Sequence, residues 1–161
     1  MEELAEYVFE RDRNEFNLGD TMDIKTGLIL ACLTFLAIQS GGLINGRLSL
    51  AETIAQMISI VALSLGGALS VLELWPRSYD REAVPDAYDK WLADMRQFYE
   101  LNPADIDIAT SVRSARVESA KERVRTNSHI NEIKSRLMFY AFFCVVVAFA
   151  ANIATLVMRL F

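Results

Sequence analysis

The chain has 161 residues, of which 53% are hydrophobic, and a formal net charge of −5. That length holds one domain, or one membrane bundle with a modest soluble part. The net charge is modest, and its placement matters more than its size; two cysteines inside apolar stretches (Cys32 and Cys144) exclude a disulfide-stapled secreted framework.

The distribution of the apolar residues decides the class. Residues 2–18 read as a short amphipathic helix with Leu4, Tyr7, Val8, Phe16 and Leu18 on its apolar stripe. Gly19 supplies a stop, and Asp20 can cap the helix that follows. The acidic, long segment before the first apolar run is not the basic region of a signal peptide.

Three stretches meet the length of about 20 apolar residues that a helix needs to cross a bilayer. They are Thr26–Ile44, the interior of Leu50–Trp75, and Leu137–Phe161. Gly41, Gly42, Asn45 and Gly46 end the first span in a tight turn. Ser49 and Glu52 form a capping box at the start of the second. Pro76 ends the second helix, with Trp75 as an interfacial aromatic.

Residues 85–101 then read as a helix with Tyr88, Leu92, Met95 and Phe98/Tyr99 on one face. Asn102-Pro103 breaks it and starts another. From Ile106 an approximate helical period continues towards the third span, with a kink expected at Thr126-Asn127-Ser128. The expected fold is therefore an all-α membrane protein of three transmembrane helices and a helical cytoplasmic segment. Its third span is continuous with a long cytoplasmic helix. The expected segments are 1–20 (amphipathic helix), 21–76 (transmembrane hairpin), 77–135 (cytoplasmic helices) and 136–161 (last span).

Ten of the 16 Lys and Arg residues lie in 76–135, whereas only Arg47 lies between the first two spans and only Arg159 beyond the core of the third. The positive-inside rule then places the N-terminus and 76–135 in the cytoplasm and the C-terminus outside.

Each span carries a stripe of small or weakly polar residues, which lets helix backbones approach in lipid. In the first it is Gly27, Ala31, Thr34, Ala37 and Gly41. In the second it is Ala51, Ala55, Ser59, Ala62, Gly66 and Ser70. In the third it is Ala141, Cys144, Ala148, Asn152 and Thr155. Gly66, Ser70, Ala148 and Asn152 are the expected assembly or pore residues. Gln39, Gln56 and Asn152 are the polar side chains at membrane depth; Asn152 is the strongest of them and Gln56 the weakest. Asp23, Lys25 and Glu73 cluster at the cytoplasmic mouth, with Glu73 placed to pair with Lys25 or Arg77.

No catalytic constellation, phosphate loop or metal spacing is present, so neither enzyme activity, cofactor nor metal is expected. His129 is the only histidine and reads as a solvated surface residue. The 113–125 segment carries Arg113, Arg116, Lys121, Arg123 and Arg125 among Glu118 and Glu122. Its main reading is a solvated face with paired charges. Its sharper reading is a contact for an anionic ligand or partner, with Arg116 and Arg123 a heptad apart presenting two guanidinium groups. The interleaved acids speak against duplex nucleic acid.

The order of these features resembles a known family. Arg11 and Arg13 lie in a polar N-terminal helix, and Asp23-Ile24-Lys25-Thr26-Gly27 enters the first span. Trp75-Pro76-Arg77 closes the second, and Asn131-x-x-Lys134 precedes the last. This resembles the small membrane effectors of bacterial anti-phage nucleotide-signalling systems, especially the Pycsar transmembrane effector family. The resemblance implies a bacterial inner-membrane homo-oligomer that disrupts the membrane when a cyclic nucleotide or a signalling protein triggers it. The chain departs from full effectors in lacking a recognisable cyclic-nucleotide-binding domain, so sensing would fall to 76–135 or to a partner. The rival readings are a membrane anchor or adaptor for a soluble partner, and a channel subunit.

Overall fold

The computed structural model describes the backbone at 2–44, 48–80, 90, 93–97, 100 and 108–160. Among the described residues there are three long helices and no strand: α1 (Glu2–Leu43), α2 (Leu50–Leu74) and α3 (Ile108–Leu160). All three are long and apolar enough to cross a membrane. The chain is a multi-pass, all-α membrane protein. Residues 93–97 are helical. Most of the helix expected over 85–101, and the Asn102-Pro103 break, lie outside the described residues, as do Asn45 and Gly46.

Two expected interruptions are absent. Gly19 does not stop the first helix: α1 runs unbroken from Glu2 to Leu43, with Gly19 buried and Asp20 exposed on its surface. A helical glycine costs only about 1 kcal/mol relative to alanine, and here its small size fits a packed position. Thr126-Asn127-Ser128 makes no break either: Asn127 turns its amide outward from the helix to the backbone of Asp80 rather than back to its own backbone. The capping box at α2 is as expected. Glu52 N–H donates to Ser49 Oγ at 3.3 Å, and Ser49 N–H donates to Glu52 Oε2 at 2.6 Å. The helix ends at Leu74, ahead of Trp75 and Pro76.

The chain divides into two compact units. Met1–Asn17 with Ser78–Ile130 form the first, and Leu18–Arg77 with Asn131–Phe161 form the second.

The second unit is apolar outside and carries many of its polar residues inside, beside an apolar core. Ile24, Leu28, Phe35 and Ile38 of α1 are exposed, as are Ile54, Met57, Val61 and Leu65 of α2 and Phe139, Phe142, Phe143 and Phe149 of α3. Water would penalise that surface heavily; lipid does not, since its tails are as apolar as the side chains. The interior is instead lined by small and polar residues. In α2, Glu52, Ser59, Gly66 and Glu73 are buried at seven-residue intervals, and in α3 so are Lys134, Ala141, Ala148 and Thr155. This is the repeat that keeps one helix face on its neighbours.

The stripe expected for the first span is on the wrong face. Gly27, Ala31, Thr34, Ala37 and Gly41 are exposed, while Thr26, Leu33, Leu36, Ser40 and Leu43 are buried. The reason is size complementarity. The α2 and α3 stripes are small, so α1 fills the space between them with leucines; Leu36 packs with Ala62 and Ala148. A third small stripe in the same place would leave a void.

The first unit is smaller and more polar. Ala5, Val8 and Ala120 are buried in it. Tyr7 here, and Leu18 at the start of the second unit, are exposed, against the expected stripe of the N-terminal helix.

Candidate functional site

The centre of the membrane unit is a hydrogen-bonded seam contributed by all three helices. Asn152 Oδ1 accepts from Ser40 Oγ at 2.9 Å and from Ser59 Oγ at 3.0 Å. The two serine oxygens are 3.1 Å apart. Each hydroxyl has one proton, so that approach is a contact whenever both donate to Asn152. Asn152 Nδ2 reaches Leu36 O at 3.5 Å. One turn further along, Gln56 Nε2 donates to Thr155 Oγ1 at 2.9 Å, and Thr155 donates to Ala151 O at 3.0 Å. Polar groups in hydrocarbon find partners inside the protein where they can; these do, except Gln56 Oε1, which is buried without one.

Asn152 is therefore the hub of this seam. Gln56 is at least as buried, although the sequence made it the weakest of the three amides; its partner Thr155 is 99 positions away, and the stripe that carries Thr155 did not pair the two. Gln39 faces outward. Gly66 lets α2, α1 and α3 touch: a Cβ there would lie 2.9 Å from Cys144 Cβ and 3.0 Å from Leu33 Cδ2. Ser70 donates to Gly66 O at 2.9 Å, and Ala148 is fully buried in the core. Gly66, Ser70, Ala148 and Asn152 all serve contacts within one chain.

Ion pairs and one charged layer mark the two ends of the unit. At one end Arg159 donates to Leu43 O at the close of α1 and lies 3.6 Å from Glu52 Oε1. The guanidinium thereby meets two groups that want a cation, a helix C-terminus and a carboxylate. At the other end Lys134 Nζ is bound to Asp23 Oδ1. Neither expected partner of Glu73, Lys25 or Arg77, is hydrogen-bonded to it. Lys25 is exposed, and the cations near these acids are Lys134 of α3 and Arg77 just beyond α2. Residues on α1 and α3 more than a hundred positions apart meet here, which no local spacing reveals.

In the first unit the arginines have separate tasks. Arg123 is buried; its Nη2 lies 2.8 Å from Asp12 Oδ2, its Nε donates to the same oxygen at 2.9 Å, and Nη1 donates to Ser119 Oγ at 3.0 Å. Arg116 lies over the Phe9 ring, 5.4 Å from its centroid, a cation–π geometry. Arg113 is exposed. Arg116 and Arg123 thus do not present two open guanidinium groups side by side. Glu118 and Lys121 pair at 3.1 Å across one helical turn, as the solvated-face reading expects.

Asn127 was missed as a structural residue. Its Nδ2 donates to Asp80 O and its Oδ1 accepts from Asp80 N–H, both at 3.1 Å. That clamp holds the chain just after α2 against α3. Phe16 and Tyr79 meet edge to face beside it, with ring centroids 6.0 Å apart. Phe9, Asp12, Arg13, Phe16, Asp80 and Arg116 border a cleft of about 520 Å³ in this unit.

No family model, curated protein or solved structure matches this chain.

Proposed function

We propose that this chain is a non-enzymatic membrane effector of the bacterial inner membrane, with its N-terminus and 76–135 in the cytoplasm. In this reading it is held closed at rest and opened by a signal received in the first unit. The observation that carries the reading is the Ser40–Ser59–Asn152 seam. It is a polar cluster inside the membrane unit, closed by its own hydrogen bonds and bordered by the apolar Leu36, Ala62 and Ala148 core, which suits a molecule that does not leak at rest. A trigger that parts the three helices would expose those groups to water and to copies of the same chain. The same α1 and α3 supply residues to both units, which gives a signal a route along continuous helix.

The surplus of Lys and Arg in 76–135 supports the orientation. The cleft bordered by Phe9, Arg13, Phe16 and Arg116 supports the sensing role: Asp12 and Asp80 also border it, but Asp12 is paired with Arg123, and aromatic faces with guanidinium groups suit an anionic signal or an acidic partner segment. Arg113 lies near its rim residues Phe9 and Arg13. Arg123 contributes by holding Asp12.

The test is expression in bacteria with and without cyclic-nucleotide production, following membrane potential and dye entry. Triggered depolarisation that Arg116→Ala abolishes, with normal membrane insertion, is the expected result. Absence of depolarisation under every trigger, together with a soluble partner that co-purifies, would replace the effector by a membrane anchor.

A further inference from the structure

Glu73 is the bulkiest fully buried side chain among the described residues. It lies in the last turn of α2, in a helix long and apolar enough to cross a membrane. Neither of its carboxylate oxygens has a hydrogen-bond partner. Thr26 of α1 is equally buried; its hydroxyl faces the carboxylate but meets no hydrogen-bond geometry and is unpartnered too.

The charged groups around Glu73 come from every neighbouring element: Asp23 from α1, Lys134 from α3, and Arg77 just beyond α2. None satisfies it. Lys134 is bound to Asp23. Arg77 sends Nη2 to Leu72 O at 3.3 Å, and its Nη1 is buried with no partner. The layer therefore holds two acids and two bases, with one acid–base pair made and the other pair apart.

An ionised carboxylate without a hydrogen bond is among the costliest groups to bury, and the cost rises in a membrane. A neutral carboxyl beside a threonine hydroxyl has no such cost, because a small rotation lets its O–H donate to the hydroxyl oxygen. The unmade Glu73–Arg77 pair gives the ionised form somewhere to go.

We propose that Glu73 is a proton-binding site, and that this packing is its proton-loaded form. On release, the proton passes from the carboxyl to water, and the carboxylate draws in the Arg77 guanidinium at the close of α2. The end of α2 is then held differently against Thr26 and Lys134 in the two forms. The inference does not depend on the effector reading: an anchor or a channel subunit with this layer would bind the proton in the same way.

The experiment is infrared difference spectroscopy of the full chain in lipid nanodiscs as pH is stepped. The expected result is a protonated-carboxyl C=O band that vanishes on alkalinisation. The band is absent in Glu73→Gln, kept in Asp23→Asn, and shifted in Thr26→Val. Arg77→Met should move the loss of the band to higher pH, because the released form has lost its cation. If Glu73→Gln does not fold, the Thr26→Val and Arg77→Met shifts carry the test. A carboxylate signal for Glu73 at every pH at which the protein is folded, or a protonated band indifferent to all of these variants, would overturn the proposal.

Discussion

Replacing Asn152 by leucine, which matches it in shape without its polar atoms, removes the hub of the membrane seam and leaves no large void. Two hydrogen bonds at 2.9 and 3.0 Å and a weaker one at 3.5 Å are lost. Interhelical hydrogen bonds in membranes average about 0.6 kcal/mol and reach about 1.7. Ser40 and Ser59, 3.1 Å apart, can still bond each other, so neither is orphaned in hydrocarbon. The expected cost is therefore roughly 1–2 kcal/mol, about a five- to thirty-fold shift in the folding equilibrium. Reversible unfolding in bicelles measures it directly. A double-mutant cycle with Ser40→Ala should show a coupling of about 0.5 kcal/mol or more. Gln39→Leu, on the outward face, serves as the control and should change nothing measurable. The reasoning fails if Asn152→Leu leaves stability unchanged within about 0.3 kcal/mol, or if no coupling to Ser40 is seen.

Two further pairs of substitutions probe packing and charge. Gly66→Ala should destabilise by about 1–3 kcal/mol, because Cys144 Cβ is fixed to its backbone and the helices must separate; Gly67→Ala, with nothing within 4 Å of its Cβ, should be neutral or stabilising by up to about 1 kcal/mol, both read from the same unfolding curves. In the first unit, Arg123→Gln and Asp12→Asn should each cost about 1–3 kcal/mol by leaving a partly buried charge unpaired. The double variant should cost less than the sum, with amide exchange along 119–127 reporting the loss.

The class of this molecule was readable from the chain alone. Three uninterrupted apolar stretches imply three spans because the bilayer imposes a length and forbids unpaired backbone. The capping box at Ser49 and Glu52, the stop at Pro76, and the small stripes of α2 and α3 are local patterns, and local patterns survive folding. Gly19 misled because a glycine that stops a helix and one that is merely tolerated inside it look alike until the flanking packing is known. The α1 stripe misled for a related reason: Gly27, Ala31 and Gly41 are spaced for close approach, but the two partner helices already supply the small surfaces.

What only the tertiary structure decided is which polar groups meet. Ser40 and Asn152 are separated by 112 positions, and Asp23 and Lys134 by 111. Nothing in either neighbourhood says that the other exists. The sequence placed Glu73 near a cation and offered Lys25 or Arg77, which are close in depth, because Lys134 lies outside the apolar run. The packed helices turn Lys25 outward and bring Lys134 to Asp23, leaving Glu73 buried without a partner. Length and hydrophobicity are sums along the chain and can be read from it. The pairing of buried polar groups depends on how each helix is rotated about its axis, and that rotation is settled only when all three helices pack together.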